Sequence, residues 1–429
     1  MGPSPALRRP PARSTLRDRG PALAERASRH SGWLIGRAER LGLAAAAART
    51  RAALLGFATV AVLGFNSGGY SSRSWGWTVL AFTALVALGL LLRDDVVIGS
   101  LEWVTLGALA SLAIWMLISS LWGIAGTDGP HEAERTLVYL SGLAALLVLV
   151  ETEAVWALLA GVLAGTVLLA AYGLGDRALN GPGHDPFEGS LLVAPLGYAN
   201  ALGILVAIGL VIAAGIVVCR GGRRTVGLAL VAAALLGVAL VLTSSRGAVL
   251  ALVCGLLVLG ALLAMRSSRR NRARLVLPAA AVVCIGLALA AAPRSGFGDR
   301  TPYWRAALHD AHAHPLSGSG AGSFHAYWSS HRTIDVSVQD AHSLYLETLA
   351  ELGPVGLLLV LLVLVPPYVA GVIARSDPAV PVAAGGYAAF LVHAGIDWDW
   401  EMPATTVAGL ACAAAMLVAA RPSDRVRPV

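Results

Sequence analysis

The chain has 429 residues, 57% of them hydrophobic and only 13% charged. A soluble protein carries about a quarter charged residues, so this composition excludes an ordinary globular enzyme and indicates a polytopic membrane protein. The formal net charge is +7; beside long apolar runs such a surplus reflects the positive-inside bias and not a nucleic-acid partner.

Residues 1–40 are rich in Arg, Pro and Ala and hold no apolar run long enough for a signal peptide. They read as a disordered basic tail on the cytoplasmic side, with an amphipathic piece from Trp33 to Leu43 lying on anionic lipid. Apolar runs follow at 41–66, 76–92, 97–121, 136–150, 154–173, 191–218, 225–243, 247–265, 275–292, 353–374, 380–396 and 403–420. Several approach the roughly 20 residues a helix needs to cross hydrocarbon. The expected fold is therefore all-α: about 12 transmembrane helices, nine within 41–292 and three within 353–420, around one long loop at 293–352, with a short tail at 421–429. The cysteines Cys219, Cys254, Cys284 and Cys412 lie in or beside apolar runs without CxxC spacing, so neither a disulfide framework nor a zinc site is expected.

The 32 basic residues, all Arg, orient the chain. With the N-terminus inside, the inner segments carry the eleven up to Arg51, Arg93, three at 220–224, five at 266–274, Arg375 and three in the C-terminal tail, 24 of the 32. The outer segments keep Arg73, Arg135, Arg177, Arg246, Arg294, Arg300, Arg305 and Arg332. Both termini are thus expected in the cytoplasm, with the long loop and the turn at 244–247 outside.

That loop is the polar exception in the chain. Thr301-Pro302 reads as an N-cap with Pro at the first helical position, opening a helix that runs to His314, before Pro315. On it Trp304, Leu308 and Ala311 share an apolar face, and Arg305, His309 and His312 a polar one. The PLSGSGAGSF stretch at 315–324 is a small-residue turn, and a second helix is expected from Asp340 as N-cap to about Gly353.

Several motifs occur in one order: SRGA at 245–248, the R-x-x-x-W from Arg300 to Trp304, the PLSGSGAGSF turn, and H-S-L-Y-L from His342 to Leu346 with Gly353 seven residues on. PLGYAN at 195–200 and HAGIDWDWEMP at 393–403 accompany them. Over about residues 190–405 this set resembles the O-antigen ligase and O-antigen polymerase superfamily. The resemblance implies a metal-independent membrane glycosyltransferase without a cofactor. Such an enzyme moves a glycan from undecaprenyl pyrophosphate to a glycan, lipid or protein acceptor on the outer face of the cytoplasmic membrane. It implies His342 and Arg300 as catalytic residues and Arg246, Arg300 and Arg305 as pyrophosphate ligands, with Trp304, Asn200, Asp397 and Asp399 in support. The chemistry agrees: Arg forks onto phosphate oxygens, and His titrates nearest neutral pH. Each residue also has a plainer reading. Arg246 can snorkel to the interface, Arg300 and Arg305 can be solvated loop charges, and Asp397, Asp399 and Glu401 can either orient the His and Arg residues or be the polar mouth of a span. The HDAHAH run at 309–314 is a rival metal site, and GSGAGS a rival phosphate cradle without a P-loop Lys. A transporter or flippase of lipid-linked sugars is the rival function, although spans 225–243 and 275–292 lack the ionisable side chains such proteins carry at mid-span.

Overall fold

A computed structural model of the chain describes Gly2 and residues 20–93, 96–124, 128–183, 188–266 and 300–422, with residues 20–41 as backbone only. Two compact units are distinguished, Met1–Ala48 and Arg49–Val429. The expected span at 275–292, Cys284 and most of both tails lie outside the described residues.

Among the described residues the regular structure is helical, without strands. In lipid an apolar segment must satisfy its backbone internally, and a helix does so within one segment. The helices are α1 (Gly20–Phe65), α2 (Trp75–Leu92), α3 (Ser100–Ser119), α4 (Asp128–Leu149), α5 (Val155–Asn180), α6 (Ala199–Cys219), α7 (Arg223–Thr243) and α8 (Arg246–Arg266). After the gap come α9 (Thr301–Ala313), α10 (Phe324–His331), α11 (Leu344–Leu364), α12 (Pro366–Ile373), α13 (Val380–Ala394) and α14 (Pro403–Ala419). Among the described residues, eight segments are long and apolar enough to cross a membrane: Gly42–Phe65, Ser72–Leu92, Ser100–Ser119, Thr152–Asn180, Ala199–Cys219, Arg223–Thr243, Arg246–Arg266 and Leu344–Ile373. Three more expected spans correspond to α4, whose first turns carry charge, and to the shorter apolar helices α13 and α14.

Within the second unit, α6, α13 and α14 are buried nearly all round. Here α8 crosses α13 closely: a Cβ built on Gly255 or Gly385 would lie 2.7 Å from the other's carbonyl oxygen. Small residues at such crossings let backbones approach without side chains between them. By contrast α2 and α7 bury one narrow face and leave Trp77, Leu91 and Leu228 exposed, as lipid-facing helices do.

Four local expectations differ from the structure. Helix α1 starts at Gly20, inside the stretch read as a disordered tail, because Ala, Leu, Arg and Glu dominate from there and are strong helix formers. The buried face of α9 is Tyr303, Ala306, Ala307 and Asp310, while Leu308 is exposed. Its partners, Phe324, Trp328, Ala341 and Ala350, come from α10, the stretch before α11, and α11 itself, which periodicity within α9 cannot reveal. Helix α10 was not anticipated. The N-cap of α11 is Ser343, whose Oγ accepts from Leu346 N–H at 3.5 Å, and not Asp340.

Candidate active site

The loop is built around a break in α11. Gly353 has φ +66, in the left-handed region, and Pro354 follows without an N–H to donate. The carbonyls freed there find partners outside the helix. Ala350 O accepts from Ser319 N–H at 3.0 Å, Glu351 O from Gly320 N–H at 2.7 Å, and Leu352 O from Trp115 Nε1 at 3.0 Å. The Glu351 carboxylate then accepts the N–H groups of Gly322 and Phe324 at 2.9 and 2.8 Å, at the start of α10. Ala321 N–H goes to Ser119 Oγ at 2.9 Å. The GSGAGS amides are therefore taken up by protein acceptors, and the turn is a clamp on α3 and α11 rather than a phosphate cradle.

This clamp fixes α9, whose first residue lies beside Arg300. The Arg300 Nη2 donates to Asp397 Oδ2 at 2.5 Å. Asp397 is fully buried and accepts three further bonds: Tyr198 Oη at 2.8 Å, Asn200 Nδ2 at 2.7 Å and its neighbour Trp398 N–H at 3.0 Å. Burial opposes the Asp397 charge, but the Arg300 guanidinium, His393 and His342 outweigh it and hold the carboxyl below its ordinary value. The same pairing raises the Arg300 pKa against its own burial. Trp398 packs on Tyr198 and Tyr70, with ring centroids 4.5 and 5.4 Å away.

His342 sits between α9 and α11 at φ +56, a conformation that costs a non-glycine residue on the order of 1–3 kcal/mol and recurs at functional sites. Its carbonyl accepts from Trp304 Nε1 at 3.3 Å, and its ring packs on Tyr303 at 5.3 Å. The Nδ1–H donates to the Asp340 carbonyl at 3.0 Å, which leaves Nε2 with the lone pair. Burial lowers the His342 pKa, with Asp397 raising it and Arg300 lowering it, so both lie within electrostatic reach. Two groups result, Arg300, Asp397 and Asn200 in one and Trp304 and His342 in the other, within electrostatic reach of each other. Arg305 is exposed on α9, and no contact joins it to either group among the described residues.

Arg246 is the first residue of α8, and the next, Gly247, packs against the imidazole of His393 in α13. His393 Nδ1 bonds Asp399 Oδ2 at 2.5 Å, both side chains fully buried. Asp399 is therefore tied to a histidine that the motif reading had quoted but given no role.

With this geometry described, comparison with known families bears on the same residues. The family model described as O-antigen ligase matches residues 228–361. The likeness to the O-antigen ligase superfamily holds. The matched stretch runs from α7 into α11 and contains Arg246, Arg300, Trp304, Arg305 and His342, while Asn200, Asp397 and Asp399 lie outside it. No curated protein matches the chain.

Three acids come together here, of which Asp340 was expected only as an N-cap, Glu401 only with Asp397 and Asp399 at the end of a span, and Glu347 in no role. Asp340, Glu347 and Glu401 bring carboxylate oxygens within 4.8 Å of one another. Arg135 ion-pairs with Glu132 and Glu401 and lies 5.6 Å over the Trp75 ring. Burial, together with Glu132 and Asp397 and against Arg135, pushes the Asp340 carboxyl up to about 7. The histidines at 309–314 are dispersed among separate partners: His309 bonds Tyr327 Oη, and His314 bonds Asp310 Oδ1 at 2.8 Å. Asp310 in turn accepts from Ser319 Oγ at 2.6 Å, tying α9 to the clamp. Glu132, Glu347 and Glu351 carried no sequence signal beyond being acids close to apolar runs.

Proposed function

We propose that the protein is a membrane glycosyltransferase of the O-antigen ligase kind. In this reading it moves a glycan from a polyprenyl (undecaprenyl) pyrophosphate carrier to an acceptor hydroxyl on the outer face of the cytoplasmic membrane. The observation that supports it best is Arg300, anchored by a fully buried Asp397, within electrostatic reach of a His342 whose pKa is lowered by burial.

Nε2 of His342 takes the proton of the acceptor hydroxyl as its oxygen attacks the anomeric carbon of the donor sugar. The bond from that carbon to the pyrophosphate oxygen breaks, and its electron pair leaves with the lipid pyrophosphate. Charge grows there, so fixed cations stabilise the transition state more than the ground state. Arg300 and Arg246, and Arg305 at the exposed rim, act as those cations through forked hydrogen bonds. Trp304 holds the His342 backbone through its carbonyl. No metal or organic cofactor enters this reading.

Lipid-linked intermediates in cells lacking the protein test it. Accumulation of finished, lipid-linked polymer on the outer face is the expected result for a ligase. A single lipid-linked repeat unit outside would indicate a polymerase of the same superfamily. Lipid-linked glycan trapped on the inner face would refute the transferase and point to a flippase.

A further inference from the structure

Among the buried polar atoms without a partner in the described residues, one lies against the first turn of a long helix. Nε2 of His393 has no hydrogen-bond partner among the described residues, although the side chain is fully buried. Oδ1 of its partner Asp399 is in the same condition. Polar atoms buried this way are rare and costly, which calls for a partner in the working protein. Nε2 lies against the first turn of α8, where a Cβ built on Gly247 would come within 2.9 Å of it. That helix is 21 residues long, is capped by Ser245 Oγ accepting Ala248 N–H at 3.2 Å, and opens with Arg246. Its N-terminal end carries partial positive charge. The helix end and the orphan imidazole meet at Gly247, directly after Arg246; the helix end and the arginine favour an anion, and so does the imidazole once Nε2 carries a proton.

We propose that His393 is a second phosphate-binding residue, bonding one phosphate of the lipid pyrophosphate together with Arg246 at the start of α8. The proposal rests on the donor reading above and adds a residue to it. Asp399 accepts Nδ1–H, and its negative charge stabilises the ring when a second proton sits on Nε2. Nε2–H then donates to a phosphate oxygen. Glycine at 247 is what allows the ring to reach the helix end. The charged groups that act on the ring are Asp399 on its Nδ1 side and Asp397 and Arg300 within electrostatic reach, while Arg246 precedes Gly247 in the chain.

Binding of undecaprenyl pyrophosphate to the purified full-length protein, with inorganic pyrophosphate as competitor, tests the assignment. His393→Gln keeps a neutral donor and loses the charge, so affinity for both should fall roughly 10- to 100-fold. Gly247→Ala favours the helix and pushes a methyl group against Nε2, so it should weaken both in the same direction even if His393→Gln does not fold. A folded His393→Gln or Gly247→Ala protein with wild-type affinity for undecaprenyl pyrophosphate overturns the role of His393 alone. A wild-type protein that binds neither probe overturns the donor reading as well. Weakened binding of the lipid with unchanged competition by inorganic pyrophosphate places the effect on the lipid chain and also refutes the phosphate contact.

Discussion

Replacing Asp397 by Asn keeps the shape of the side chain and removes its charge. Four donors converge on this carboxylate, from Arg300, Tyr198, Asn200 and the Trp398 backbone. Asn offers one oxygen in place of two and sets an NH2 group against a donor. The principal loss is the charge-assisted bond to Arg300, worth about 1.5–3 kcal/mol when one partner is charged. The Arg300 side chain is 18% exposed, so water recovers part of this and the lower half of the range applies. Since about 1.4 kcal/mol is a factor of ten, transfer should slow roughly 10- to 40-fold through a misplaced Arg300. Asp397→Ala should be worse, because Tyr198 and Asn200 also lose their acceptor. The assay is the accumulated lipid-linked glycan in cells, normalised to membrane-inserted protein. The Asp397 carboxyl titrates below its ordinary 3.8, so the stability it adds is fully present above that value and is lost only as pH falls beneath it. No change across the neutral range should therefore trace to Asp397. Wild-type transfer by Asp397→Asn at equal protein would refute the claim that this carboxylate positions Arg300.

His342→Ala should nearly abolish transfer, since a placed base contributes on the order of 10²–10⁴-fold, whereas the double change His312→Ala, His314→Ala and treatment with a chelator should each leave most of it. Because burial lowers the His342 pKa from 6.5, the base stays unprotonated down to that pH, and the acid limb of the rate profile should lie below it; a limb above 6.5 argues for another base. Arg246→Lys keeps the charge and loses the fork, so it should recover only part of the activity lost in Arg246→Ala; full activity in Arg246→Ala would leave the residue as an interface anchor. For topology, a Cys at position Ser317 should react with an impermeant thiol reagent in intact cells while one at Ser423 is protected, and the opposite pattern would invert the assignment.

Much of this was legible in local signals. Composition alone established a polytopic membrane protein, since apolar runs of that length have no soluble alternative. Pro302 marked the start of α9, and the family motifs picked out Arg246, Arg300, Trp304 and His342. Those signals depend on a residue and its near neighbours along the chain. The partners do not. Arg300 meets Asp397 across 97 positions, Tyr198 and Asn200 reach the same carboxylate from still further away, and Glu351 clamps a turn 27 residues upstream of it. Apolar helices are nearly uniform around their circumference, so nothing in their periodicity says which neighbour each one faces. Local sequence was enough for the membrane helices and for a few polar residues set in motifs, but not for the buried acids Glu347 and Glu351. Which of these residues pair became visible with the packing of the helices, because a buried charge takes its partner from whichever helix end lies within hydrogen-bond reach.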